Sequence, residues 1–167
     1  MCELVGLYLL DLMRKRFPFL DFGLYRDDGL ACHPRIPGPT LNKHKKEIIQ
    51  LFKRNGLKIT IKTNLKVVDS LDVTFNLTEE NFKPYKKPNS ETLYVNSKSN
   101  HPKTVLKEIP NSVNHRLINI SSSEVEFNEA KMEYQRALKS SGYNQELNFV
   151  NDYCKKKSDE NTKNKIN

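Results

Sequence analysis

The chain has 167 residues, with 28 Lys and Arg against 20 Asp and Glu, a net charge of +8 and a pI near 9.3. Hydrophobic residues make up 37% and charged residues 29%, which excludes a fully disordered chain and fits one domain or two small lobes. The basic balance favours a polyanionic partner, nucleic acid first and an anionic membrane surface second, against the plainer alternative of a Lys-rich solvated surface.

Three cysteines, Cys2, Cys32 and Cys154, are widely spaced and form no CxxC pair. That argues against a disulfide framework or a zinc ribbon and fits a reducing, intracellular setting. Cys32 and His33 are adjacent, but His44, His101 and His115 are scattered, without the paired short spacings of a tetrahedral zinc site.

Residues 4–10 are an apolar run within the stretch 4–13, which Arg14, Lys15 and Arg16 follow. A secretory signal carries its charges first, and a bilayer span needs roughly 20 apolar residues, so a buried helix is expected. Helices that are apolar all round belong inside something, so the chain is expected to begin within a larger domain. Residues 21–26 and 29–33 predict two short strands around Asp27 and Asp28, with Asp28-Gly29 as the hairpin signal. Pro34, Pro37, Gly38 and Pro39 mark a loop. Thr40 is expected to cap a helix over 41–55, with Leu41, Ile48, Ile49, Leu51 and Phe52 on its apolar side and Gly56 just past its end. Residues 57–62 alternate apolar and polar, Leu71, Val73 and Phe75 alternate again, 81–86 can pair back, and 92–96 is one more candidate strand. Residues 21–96 therefore predict a small antiparallel sheet with a packed helix, an α+β fold.

Beyond His101 the strand signal fades. Residues 102–109 and 111–120 predict short helices broken at Pro110. Ser123 and Glu126 form a capping box that opens a helix with the stripe Phe127, Ala130, Tyr134, Ala137 and Leu138, ended by Gly142. Asn144 is expected to start a further helix through Leu147, Val150 and Tyr153. The organisation is thus a sheet-bearing part over 1–96, a helical lobe over 97–154, and a polar tail over 155–167 expected to be disordered.

The paired carboxylates Asp27 and Asp28 need an explanation, because a turn requires only one Asp or Asn for its conformation. One reading is a well-solvated turn, where the repulsion costs little. The other is a divalent cation site, since Mg²⁺ takes hard oxygen ligands and two metals can clamp a phosphoryl transfer. Tyr25-Arg26-Asp27-Asp28 resembles the Tyr-x-Asp-Asp signature on the palm hairpin of reverse transcriptases. The helix ending in Gly56-Leu57 is similar to an element that follows in these enzymes. Ser70-Leu71-Asp72-Val73-Thr74, Tyr85-Lys86-Lys87-Pro88, Tyr94 and Ser99-Asn100-His101-Pro102 resemble segments of the Penelope-like branch.

The resemblance implies a partial polymerase palm over 1–96 and a thumb over 97–154. It implies Asp27 and Asp28 as catalytic residues and ligands of Mg²⁺ or Mn²⁺. Tyr25 and Arg26 would lie near primer and nucleotide, Leu71, Asp72, Lys83 and Lys86 would belong to a primer grip, and Lys62 or Lys66 would be the general acid. Its implied partners are an RNA template, a DNA primer and a nucleoside triphosphate. A further catalytic aspartate and the fingers would lie before residue 1. Asp21 cannot replace that aspartate, because six extended residues place it roughly 20 Å from Asp27. Asp11, Asp69 and Asp72 do not suit the position either. Three functional readings follow: a nucleotidyltransferase fragment inactive alone, a non-catalytic basic nucleic-acid-binding module derived from one, and a plain structural domain.

Overall fold

The computed structural model describes residues 2–149. They form four helices and two small antiparallel sheets, an α+β architecture. The chain divides into two compact units, the first ending at Leu65 and the second starting at Lys66.

The first unit holds α1 (Cys2–Arg16), β1 (Asp21–Tyr25), β2 (Asp28–Cys32) and α2 (Gly38–Arg54). Leu9, Met13 and Phe17 recur every four residues and so share one face. They pack with Leu20 and Phe52, and Ile48, Leu51, Phe22 and Leu24 close around them. The expectation of a buried α1 holds for that stripe alone: Leu4, Leu7 and Tyr8 are 73%, 63% and 54% exposed. β1 and β2 pair as a hairpin with Tyr25 opposite Asp28. The loop is therefore Arg26-Asp27, one residue earlier than the expected Asp27-Asp28, and Arg26 takes the positive φ (53°) that the favoured two-residue turns demand.

α2 starts at Gly38 with Pro37 before it and no side-chain cap, so Thr40 lies inside the first turn and does not cap the helix. Pro39 is tolerated there because the first amides lack intrahelical partners. The far end is as expected. Gly56 has φ 77°, its N–H donates to Lys53 O, and Leu57 N–H donates to Phe52 O, both at 3.0 Å. This is the full Schellman arrangement. Residues 57–62 are not a strand. Burial alternates only over 58–62, Leu57 being 38% exposed, and no strand among the described residues pairs with them, so half-burial arises without a ladder.

The second unit begins with a meander of β3 (Val67–Ser70), β4 (Val73–Asn76) and β5 (Asn81–Pro84). Phe75 faces Phe82 across β4 and β5, with ring centroids 6.1 Å apart. The hairpin expected from residues 71–75 and 81–86 thus forms as the strand pair β4 and β5, while the one predicted sheet is two. β3 was not foreseen, because adjacent Val67 and Val68 break the alternation. Residues 92–96 form no strand.

Two helices follow, α3 (Lys103–Asn119) and α4 (Glu124–Ser140). The predicted break at Pro110 is absent: α3 runs straight through it. Leu106, Pro110, Val113 and Leu117 are all buried, and their spacing of four, three and four is a continuous helical stripe. Ending the helix at Pro110 would take Val113 and Leu117 off the core, so burial outweighs the lost hydrogen bond. Phe127, Leu138, Tyr143 and Leu147 complete this core. Residues 143–149 have no regular structure, which corrects the helix expected from Asn144; its remainder and the expected disordered tail lie outside the described residues.

Candidate nucleic-acid interface

α3 and α4, 17 residues each, are joined by residues 120–123. Three serines hold this turn. The Ser121 hydroxyl, buried, donates to Leu117 O at 2.7 Å. Ser122 N–H donates to Phe82 O on β5 at 2.9 Å. Ser123 caps α4, accepting from Val125 N–H at 3.2 Å and donating its hydroxyl to the Glu126 carboxylate. Asn81 donates to the same carboxylate at 3.2 Å. These bonds, that of Ser123 foremost, hold the Glu126 carboxyl below the usual carboxylate range. The expected box thus forms in altered shape, with the hydroxyl on the second helical amide.

Glu133 pairs with Lys86, so two of the four acids on α4 face the β5 side. The exposed part of α4 carries Val125, Asn128, Glu129, Met132, Arg136 and Lys139. Residues 143–149 lie across α3 and α4 as a strap. Asn111 accepts from Gln145 at 2.6 Å, Asn114 exchanges two bonds with Asn148, and Gln135 accepts from Leu147 N–H at 2.9 Å.

The residues singled out from the sequence are distributed between the units. Asp27 and Asp28 are exposed at the hairpin, and the Arg26 guanidinium carbon lies 5.5 Å from the centre of the Tyr25 ring. Lys62 is exposed after α2, in the first unit. In the second unit Leu71 and Asp72 make the β3–β4 turn, with Leu71 at φ 54°. Asp72 pairs with Arg116 of α3, whose guanidinium is held further above its ordinary range chiefly by that hydrogen bond. Lys83 is exposed on β5, Lys86 is taken by Glu133, and Lys66 is exposed just before β3.

Asp27 lies in the loop and Asp28 on a strand, and among the described residues no group of three His, Cys, Asp or Glu side chains that could hold a metal ion is found. The sequence reading also missed a pair of histidines. His33 Nδ1 lies 2.7 Å from Pro34 O, and its Nε2 lies 3.1 Å from His44 Nδ1. The carbonyl can only accept, so Nδ1 of His33 donates to it and, in the neutral pair, Nε2 accepts from His44. The eleven-residue separation gave no short spacing to notice.

Charge is divided unevenly. Residues 1–65 hold twelve Lys and Arg against six Asp and Glu, whereas residues 66–149 hold eleven of each. The lysines are spread along the chain as the sequence suggests, but the excess is not.

Residues 93–153 match the family model of the animal helix-turn-helix domain. The matched segment contains α3, the serine turn, α4 and the strap. No curated protein and no solved structure matches the chain. The match overturns the resemblance to a reverse transcriptase: the segment expected as a polymerase thumb resembles a helix-turn-helix domain instead. The transferase chemistry, the RNA template and the nucleoside triphosphate had no other support and fall with it. No helix among the described residues is long and apolar enough to cross a membrane.

Proposed function

We propose that the protein is a nucleic-acid-binding module whose partner is duplex DNA. The observation that carries this reading is the family match over residues 93–153, which coincides with two helices joined by a short turn, the arrangement that docks on DNA in helix-turn-helix proteins. The net charge of +8 supports the same partner. The test is fluorescence anisotropy of the full chain on a labelled duplex of about 20 base pairs over a salt series. Binding is expected at low salt, falling linearly with log salt by roughly 0.9 per neutralised phosphate. No binding at about 50 mM salt, or a flat salt response, would overturn it.

A further inference from the structure

In helix-turn-helix proteins the second helix reads the groove through its first turns. Here the first half of α4 carries Glu124, Glu126 and Glu129 and no basic residue before Lys131. The matched segment as a whole has seven basic and seven acidic residues. Phosphate contacts supply most of the affinity of such complexes, so an electrically balanced segment does not account for them.

The missing charge stands on α2. Lys43, Lys46, Gln50 and Lys53 follow one another at three, four and three residues, which places them on one face, with Arg54 beside them. All five are exposed. The opposite face, Ile48, Leu51 and Phe52, is committed to the core with Leu9, Met13 and Phe17. Glu47, the sole acid of α2, stands four residues after Lys43 but lies 3.6 Å from Arg16. Among the described residues no carboxylate pairs with Lys43, Lys46, Lys53 or Arg54. Lys43 and Lys46, three apart, repel by a few tenths of a kcal/mol, a cost that an anionic partner relieves.

From this we propose that Lys43, Lys46, Lys53 and Arg54 of α2 form the main phosphate-binding surface for the duplex, a proposal that rests on the nucleic-acid reading. Lys43 and Arg54 are eleven residues apart, roughly 16 Å along the axis, enough to bridge a major groove about 12 Å wide. Gln50 lies between the two basic pairs, where a side-chain amide can meet base edges. An anionic membrane fits less well. An interfacial helix inserts its apolar face, and that face of α2 is already buried.

The experiment compares the full chain with two variants on the same duplex: Lys43→Ala, Lys46→Ala, Lys53→Ala and Arg54→Ala together, and Arg136→Ala with Lys139→Ala on α4. These positions are exposed and alanine favours helix, and circular dichroism checks the fold. The α2 variant is expected to bind at least about 30-fold more weakly near 100 mM salt, with a salt slope smaller by about 3. The α4 variant should stay within about threefold of the parent, as few of its groups meet phosphate. If the α2 variant binds like the parent while the α4 variant does not, the α2 surface is refuted and the nucleic-acid reading stands. If the parent does not bind the duplex at all, both fall. Tighter binding of the parent to phosphatidylserine vesicles than to the duplex also refutes the proposal.

Discussion

Asn114 and Asn148 clasp one another by two hydrogen bonds: the Asn114 amide donates to Asn148 O at 3.0 Å, and Asn148 N–H donates to the Asn114 side-chain oxygen at 2.9 Å. A side chain here does what a neighbouring strand would do for the strap. Asn114→Ala removes both bonds at an exposed site where water can replace them. The expected loss is about 1–2 kcal/mol, with the Asn148 amide exchanging roughly tenfold faster. Unchanged protection of that amide would show that Leu147, buried beneath, holds the strap unaided.

That clasp also explains one limit of the sequence. Leu147, Val150 and Tyr153 have helical spacing, yet residues 143–149 lie across α3 and α4 without regular structure, because Asn111, Asn114 and Gln135 take up their backbone and side-chain hydrogen bonds. Isolated amides carry no periodic signal. Local signals were legible: Gly56 and Gly142 both take positive φ at helix ends, and Ser123 does cap. Tertiary effects were not, as at Pro110 and at residues 57–62. The basic stripe on α2 is visible in sequence order, but a general lysine count hides it.

Pro110 sets two opposing effects against each other. Alanine in mid-helix is favoured over proline by about 3 kcal/mol. Against this, Pro110→Ala strips two buried ring carbons, about 0.8 kcal/mol each before any cavity term, and frees the unfolded chain by up to about 1 kcal/mol. The variant should therefore lie within about 1 kcal/mol of the parent in urea denaturation. Leu117→Ala, with Leu117 fully buried, should lose about 3 kcal/mol by the same measurement. A Pro110→Ala loss as large as that of Leu117→Ala would mean that the ring is a main packing element of α3.

Gly142 ends α4 with φ 87°. Its N–H donates to Lys139 O, and Tyr143 N–H to Leu138 O, both at 3.0 Å. A methyl group there would meet the Ser97 hydroxyl, and Ser97 N–H is itself bonded to Ser141 O at 2.9 Å. The serine hydroxyl can turn away, so the left-handed backbone dominates the effect. Gly142→Ala should lose about 1–2 kcal/mol. Adding Ser97→Gly should recover only the smaller, steric part. Full recovery in the double variant would place the whole effect in the contact and none in the backbone.

Tyr94 packs half-buried against the core of the second unit, and its hydroxyl is pushed up to about 12, first by burial and then by neighbouring Tyr134. Burial raises Tyr134 as well. An unfolded tyrosine releases its proton near 10. Between those values the unfolded chain has lost a proton that the folded chain retains, so folding stability falls as pH rises. The stabilisation is complete below about pH 10 and is lost as pH climbs through about 12. Thermal melts between roughly pH 8 and 11.5 should thus show a declining midpoint, and Tyr94→Phe should flatten it. All other groups are shared by the two proteins, so the difference between the two curves reports Tyr94 together with its coupling to Tyr134. Parallel curves would mean that its hydroxyl remains hydrated in the folded protein.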